Sequence, residues 1–170
     1  MINSAAPLGS SALAKTNHTD KERSEMMEKS RWFRGFSWEE IQSLSKYLGC
    51  YKLNKDGVVF QEGAREAFLC LIVEGQVDIL KESSSNRKKL IASIGPGKTL
   101  GEMSLIDGEP RSASAIASID SAMLVLTKES YGRLTNDAPR LAVKLLTLLA
   151  ALVSQRLRQT SGKLVDFLEQ

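Results

Sequence analysis

The sequence between Cys50 and Thr127 is a series of short apolar and β-branched runs separated by Gly, Pro, Asn and Asp. This arrangement is typical of a β-sandwich or barrel, in which strands are short and end at turns. Val77 and Ile79 alternate with polar neighbours, as expected where one face of a sheet is buried. The chain is therefore predicted to be mainly β. The predicted strands cover residues 50–53, 58–60, 68–73, 76–81, 88–94, 111–117 and 122–127.

Helical signals lie on both sides of this β region. Thr19 with Glu22, and Ser37 with Glu40, have the spacing of capping boxes and predict two N-terminal helices. After Pro139, leucines recur at helical spacing, while the first residues of the chain lack any periodicity. The predicted organisation is a disordered arm over 1–18, N-terminal helices over 19–48, a β domain over 49–136 and a terminal helix over 137–170.

The loop from Gly101 to Ser114 combines a glycine, a carboxylate and an arginine. Gly101 permits a backbone conformation that side chains disfavour, and the amides after it can converge on one anion. Arg111 adds a planar fork that matches two phosphate oxygens, while Glu102 accepts from donors such as a ribose hydroxyl. A solvated ion pair is the alternative for the two charges taken alone. The loop as a whole predicts a sugar-phosphate site.

The Gly-Glu pair at 101–102 and the Pro-Arg pair at 110–111, followed by small residues, resemble the phosphate-binding cassette of the cyclic nucleotide-binding domain family. This family includes bacterial catabolite activators and the regulatory subunits of cyclic-nucleotide-dependent kinases. The resemblance extends over roughly residues 37–160. Leu100 stands where the family usually has an aromatic residue, and Ser104 where it usually has Ala or Gly. Leu still fills an apolar slot and Ser is small enough for a tight turn.

The resemblance implies an eight-stranded β jelly roll with N-terminal helices and a long C-terminal helix. Arg111 is then expected to hold the cyclic phosphate, Glu102 the ribose 2′-hydroxyl, and the terminal helix the base. Cyclic AMP is favoured as the regulatory ligand, although the hydroxyl of Ser112 leaves cyclic GMP open. The implied ligand-binding residues are Gly101, Glu102, Met103, Ser104, Arg111, Ser112 and Ala113 in the cassette, Ile79 and Ile91 in an apolar wall, and Arg156, Thr160 and Ser161 on the helix.

The terminal helix has a wider apolar surface than one packing contact needs. We expect one part to pack on the β domain and the rest to form a homodimer, as in the bacterial regulators that the chain resembles. A purely intramolecular role is the alternative. The apolar stretch from Leu141 to Val153 is too short to cross a bilayer, so no membrane partner is predicted.

Composition excludes several other function classes. The chain has 170 residues, 42% hydrophobic and 25% charged, and its net charge of +3 is no footprint of nucleic-acid binding. His18 is the only histidine, so a multi-histidine metal centre or a histidine-based hydrolytic site cannot form, and neither an enzyme nor a cofactor is predicted. Cys50 and Cys70 suit buried free thiols, with a disulfide as the alternative. The N-terminus lacks a secretory-signal pattern, and we expect a cytoplasmic protein.

Two functions are compatible with these features. The first is a stand-alone cyclic nucleotide sensor. Only about ten residues follow Thr160, too few for the helix-turn-helix of the bacterial regulators, so the sensor is expected to act on an unidentified protein effector and not on DNA. The second is a constitutive interaction module of the same fold without nucleotide control. The two differ in whether a nucleotide binds and whether binding requires Arg111.

Overall fold

A computed structural model describes residues 13–85 and 87–169. Residues 1–12 of the predicted arm therefore lie outside the described residues. The strands are β1 (Ala14–Thr16), β2 (Gly49–Leu53), β3 (Val58–Phe60), β4 (Phe68–Glu74), β5 (Val77–Glu82), β6 (Lys88–Ile94), β7 (Thr99–Leu100), β8 (Ser114–Ala117) and β9 (Ser121–Thr127). The helices are α1 (Asp20–Glu28), a 3-10 helix (Arg31–Phe33), α2 (Trp38–Ser45), α3 (Glu102–Asp107), α4 (Lys128–Asp137) and α5 (Pro139–Leu168).

The strands form two antiparallel sheets. One sheet has five strands in the order β1-β2-β9-β4-β7, and the other has four in the order β3-β8-β5-β6. An apolar cluster that includes Phe60, Phe68 and Met123 draws residues from both sheets. This is the predicted β jelly roll, with nine strands in the described residues instead of eight.

Seven of the nine strands were predicted from the sequence, and the two that were not, β1 and β7, are short. Residues Ala14–Thr16 fall in the arm predicted to be disordered, but they pair antiparallel with β2, with Lys15 opposite Tyr51. The pairing satisfies backbone groups along the edge of β2 and needs no apolar periodicity, so composition did not reveal it. β7 has only two residues, which pair with Cys70 and Leu71 of β4. Both strands form because a neighbouring strand provides backbone hydrogen-bond partners, and neither is indicated by a pattern in its own sequence.

Both predicted capping boxes are present. Before α1, the hydroxyl of Thr19 accepts from the backbone N–H of Glu22 at 3.2 Å, and the Glu22 carboxylate accepts from the Thr19 N–H at 2.7 Å. Before α2, the corresponding distances between Ser37 and Glu40 are 3.3 and 2.8 Å. These reciprocal bonds fix where the two helices begin.

A second apolar cluster lies between the helices and the outer face of the five-stranded sheet. Phe33 is buried there and packs edge-on against Trp32 and Phe36, with centroid distances of 4.9 and 5.5 Å. The aromatic segment therefore docks the N-terminal helices onto the domain, as predicted. Members from the helices include Met27, Ile41, Leu44, Leu134, Leu141, Leu145 and Leu149, and members from the sheet include Leu69, Leu71, Leu124 and Leu126.

β9 runs directly into α4, a helix that the sequence analysis missed. The hydroxyl of Thr127 accepts from the Ser130 N–H at 3.1 Å, and the helix continues to Asp137, so all but its last residue lies within the predicted β domain of 49–136. Leu134 is its buried residue. With so few apolar positions, the helical periodicity was too sparse to detect.

α5 has two halves with different surroundings. Leu141, Leu145 and Leu149 are buried in the second cluster, so the first half packs against the domain. From Leu157 onward the described side chains are exposed, and Phe167 is 72% exposed. In the described residues, no helix is both long enough and apolar enough to cross a membrane.

Candidate ligand-binding site

The predicted cassette begins at a glycine that its surroundings require. Gly101 has a φ of +81°, and a Cβ there would lie 2.6 Å from the carbonyl oxygen of Phe68 and 2.8 Å from Nη1 of Arg111. α3 follows immediately and ends at Gly108, whose N–H donates to the Ser104 carbonyl at 3.0 Å. The absent side chain lets the cassette backbone lie directly against the arginine.

Arg111 is held inside the β domain by backbone and aromatic groups. Its Nη1 donates to the Gly101 carbonyl and its Nη2 to the Phe68 carbonyl, both at 3.0 Å. The guanidinium carbon lies 4.1 Å from the ring centroid of Phe60 and 4.3 Å from that of Phe68. Arg111 is 3% exposed, and its Nε has no hydrogen-bond partner among the described residues. The two bonds to carbonyls use one N–H of each terminal nitrogen, so the predicted two-oxygen fork is already partly used by the fold, and the Nε–H is one of the donors left for a ligand.

The burial of Arg111 affects its charge only slightly. Desolvation lowers the pKa of Arg111, while the nearby Cys70, Glu66 and Glu102 act in the opposite direction. Because arginine ordinarily titrates far above neutral pH, the guanidinium stays cationic. The site therefore contains a buried positive charge whose carbonyl and ring partners carry no full negative charge.

Glu102 is the second buried charge, with 3% of its surface exposed. Its Oε1 forms an ion pair with Nη1 of Arg156, and its Oε2 has no hydrogen-bond partner in the described part of the chain. Nη2 of Arg156 also donates to the Thr99 carbonyl at 2.5 Å. Through these contacts α5 reaches the beginning of the cassette.

A single cavity of about 1400 Å³ joins these groups. Ile79 and Ile91 line it, as do the cassette and Arg156. Of the two predicted hydroxyl residues on α5, Thr160 lines the cavity and Ser161 does not, since the Ser161 hydroxyl donates to the Leu157 carbonyl of its own helix. The predicted residues that line the cavity are Ile79, Ile91, Gly101, Glu102, Met103, Ser104, Arg111, Ser112, Ala113, Arg156 and Thr160.

Lys81 and Glu62 support the end of the cassette, and the sequence analysis missed both. Lys81 pairs with Glu62 and donates to the Ser112 carbonyl at 2.6 Å. The Glu62 carboxylate also accepts from the Glu82 N–H at 3.0 Å. Lys81 follows Ile79 by two positions on the same strand, so strand alternation places its side chain on the same side as Ile79 and could have indicated it.

The cysteines are buried and free. Desolvation raises the pKa of Cys70 to about 12, so its thiol is protonated and unreactive at neutral pH. In the parts of the chain that the structure describes, no group of three or more His, Cys, Asp or Glu side chains is arranged to hold a metal ion.

The unpartnered buried polar atoms of the described side chains all belong to residues that line the cavity. Buried polar groups normally have hydrogen-bond partners, so a cluster of exceptions marks a place where a ligand is expected. These atoms are Nε1 of Trp32, Oγ1 of Thr99, Oε2 of Glu102 and Nε of Arg111.

Known proteins share sequence similarity with most of this chain. The chain matches the family model described as cyclic nucleotide-binding domain over residues 51–137. It is 33% identical to the cyclic AMP receptor protein of Thermus thermophilus over 138 residues, and 28% identical to the CRP-like cAMP-activated global transcriptional regulator of Mycobacterium tuberculosis over 144 residues. The matches cover 81% and 85% of this chain and 62% of each relative. The chain thus spans less than two thirds of the length of these relatives.

Solved structures show the same similarity. A cyclic nucleotide-binding domain from Methylobacillus flagellatus superposes with a TM-score of 0.81 at 33% identity, covering 91% of this chain and 89% of that one. The catabolite activator protein of Thermus thermophilus superposes with a TM-score of 0.71 at 32% identity, covering 82% and 63%. The cassette and its supporting strands lie within the residues matched by the family model.

Proposed function

This chain belongs to the cyclic nucleotide-binding domain family, and we propose that it is a sensor that binds a cyclic nucleotide, with cyclic AMP favoured over cyclic GMP. The proposal rests on one observation: Nε of Arg111 and Oε2 of Glu102 are buried, unpartnered and part of the same cavity lining. Leaving buried charged groups without partners is costly. A sugar phosphate supplies an acceptor for the guanidinium and a donor for the carboxylate.

The phosphate is proposed to bind at Arg111. The two carbonyls and two rings around the guanidinium fix its plane without a ligand, so little ordering remains to be done on binding. A charged hydrogen bond in such a desolvated place is stronger than one in water. The other proposed donors are backbone N–H groups around Met103, Ser104, Ser112 and Ala113, which line the same cavity.

The ribose is proposed to bind at Glu102, whose free oxygen is acceptor-only when ionised. Arg156 already occupies the other carboxylate oxygen, so a ribose hydroxyl and Arg156 share one carboxylate. Ile79 and Ile91 supply apolar surface beside this position. Thr160 and Arg156 on α5 are the groups available to the base, and the names of two curated relatives favour cyclic AMP.

The output is proposed to be a change in the position of α5. A ligand that binds Glu102 alters the contact that holds Arg156, which shifts the population between helix positions. The exposed apolar residues in the second half of α5 then form a homodimer contact or a surface for a protein effector. These residues are Leu157, Leu164, Val165, Phe167 and Leu168.

Titration calorimetry of ligand-stripped protein with cyclic AMP and cyclic GMP tests the proposal. We expect cyclic AMP to bind more tightly, and Glu102→Gln to weaken its binding about tenfold or more, because a charged hydrogen bond contributes about 1.5–3 kcal/mol. The matched control is Glu109→Gln, which changes an exposed carboxylate in the same loop and should bind like the wild type.

The outcomes separate the two candidate functions. If neither nucleotide gives heat or raises the unfolding temperature, the sensor proposal is wrong and a constitutive interaction module is favoured. If cyclic AMP binds equally well to Glu102→Gln and to the wild type, the ribose does not lie at Glu102.

A further inference from the structure

The cavity extends from the cassette to a second set of polar groups. Residues 30–32, residues 97–99 and the α5 side chains Gln155, Gln159 and Lys163 line this part. The volume of about 1400 Å³ exceeds the roughly 300–1,000 Å³ of ordinary small-molecule pockets. A nucleotide at the cassette therefore leaves part of the cavity unfilled.

Two of the four unpartnered buried atoms lie in this second part. Trp32 Nε1 is a donor only, and Thr99 Oγ1 is both donor and acceptor. Thr99 is 2% exposed, and its neighbour Leu100 packs in the cluster between the sheets, so strand alternation turns Thr99 to the other face. The contacts proposed above for the phosphate at Arg111 and the ribose at Glu102 involve neither of these two atoms.

Apart from Glu102, the charged side chains that line the cavity are positive. Lys29, Arg31, Lys98 and Lys163 line the cavity, and none of them has an ion pair among the described residues. Glu102 is the one carboxylate in the lining as far as the structure describes it, and Arg156 already pairs with it. A neutral or cationic group would meet excess positive charge here, whereas an anion would offset it.

The walls of this part are joined before any ligand binds. The hydroxyl of Ser30 donates to the Gly97 carbonyl at 2.9 Å, which connects the segment before the 3-10 helix to the loop before β7. On the other side, Arg156 donates to the Thr99 carbonyl. Trp32 therefore lies two residues after Ser30, whose side chain is held by the first bond. The carbonyl of Thr99 is itself held by the second bond.

We propose that this part of the cavity is a second subsite, which binds an oxyanion of the phosphate class through Trp32 Nε1, Thr99 Oγ1 and the ammonium groups of Lys98 and Lys163. The oxyanion is either a free phosphate or pyrophosphate ion, or the second phosphate of a nucleotide whose first phosphate lies at the cassette. The subsite does not depend on which cyclic nucleotide the cassette binds.

Nuclear magnetic resonance of the two tryptophan indoles tests the subsite directly. The chain has two tryptophans, and Trp38 does not line the cavity, so its indole N–H is an internal reference. We expect pyrophosphate to move the Trp32 indole resonance saturably and to leave that of Trp38 in place, both with and without cyclic AMP. Sodium chloride at equal ionic strength controls for screening of the lysines.

The double variant Trp32→Phe with Thr99→Val removes the two unpartnered polar atoms and nearly keeps the side-chain volumes. We expect calorimetry to show pyrophosphate binding weakened about tenfold or more, with cyclic AMP affinity within about twofold of wild type. Because the variant removes buried unpartnered groups, it should fold with equal or higher stability. Wild-type pyrophosphate affinity in this variant would overturn the proposal.

A two-phosphate ligand identifies the source of the oxyanion. If cyclic di-AMP moves the Trp32 resonance at lower concentration than pyrophosphate and loses this advantage in Arg111→Lys, the second phosphate of a bound nucleotide occupies the subsite. If cyclic di-AMP moves the Trp32 resonance no more effectively than pyrophosphate, a free ion does. A Trp32 resonance that neither compound moves overturns the subsite. Absence of cyclic AMP binding with pyrophosphate binding intact overturns only the nucleotide proposal.

Discussion

Arg111 and Arg156 reach the same cavity from two differently built regions. Arg111 is 3% exposed and is fixed by two carbonyls from separate segments and by two aromatic rings. The Arg156 side chain is 36% exposed and lies on α5 just before its described side chains become exposed. The cassette side of the site is therefore part of the folded core, while the helix side is held by a few contacts. A ligand is expected to move α5 and to leave the cassette in place.

The largest effect is expected from Arg111→Lys. Lysine keeps the positive charge, but its ammonium group lacks the planar fork with which arginine can bond both carbonyls and a phosphate at once. We expect cyclic AMP affinity to fall on the order of 100-fold by calorimetry, and the unfolding temperature to fall as well, because two buried carbonyls lose their donors. Arg65→Lys changes an exposed arginine in the loop before β4 and is the matched control. A loss of less than about threefold would show that the phosphate does not lie at Arg111.

A smaller and more local effect is expected from Arg156→Ala. Its ion pair with Glu102 is part-exposed, so we expect cyclic AMP affinity to fall only about two- to fivefold. Hydrogen exchange should become faster in the second half of α5 and stay unchanged in the cassette. Arg158→Ala removes an exposed arginine from the same helix and should change neither quantity. Faster exchange throughout the cassette would contradict the division into a fixed side and a movable side.

The smallest effect is expected from Glu40→Gln, which removes a contact of the first half of α5 and is measured as a loss of stability. Lys144 lies 2.5 Å from the Glu40 carboxylate of α2, and this hydrogen bond, followed by that from the Ser37 N–H, lowers the pKa of Glu40. Because the pKa of Glu40 is lower in the folded protein than its ordinary value of 4.5, the ionised carboxylate stabilises the fold at pH values above 4.5. This stabilisation is lost as the pH falls through the pKa of the folded protein. Urea unfolding should show Glu40→Gln less stable than wild type at neutral pH by under about 1 kcal/mol, with the difference disappearing in acid.

The control for this measurement is Glu74→Gln, an exposed carboxylate at the end of β4 with no ion pair among the described residues. It should unfold like the wild type at both pH values. A Glu40→Gln deficit that persists in acid would mean that the helix contact does not depend on the ion pair.

The features that were predicted correctly are those whose sequence signal is local. The capping boxes at Thr19 and Ser37 involve side chains three residues from their partners, and the glycine at 101 is required by its own backbone angle. Elements that depend on a distant segment were missed, since β1 and β7 form because of their partner strands. α4 was missed for a different reason, because it has too few apolar positions to give a periodic pattern.

The same division holds within the site. The residue types of the cassette predicted that Glu102 and Arg111 serve one sugar-phosphate site, and in the structure both residues line the same cavity. The two rings that cover Arg111 come from β3 and β4, about 40 to 50 residues earlier in the chain, and no spacing rule connects them to the cassette. Ser161 was placed by resemblance, and helix rotation turns it away from the cavity.

The position of Arg111 between Phe60 and Phe68 also limits how this protein can evolve. A substitution that removes the arginine takes a donor from two buried carbonyls and a cation from two rings, so it weakens folding and ligand binding together. Glu102 has no such role, since one of its oxygens is unpartnered and the other pairs with a part-exposed side chain. A lineage that abandons its ligand is therefore expected to change Glu102 first and to keep Arg111 long after the ligand is gone.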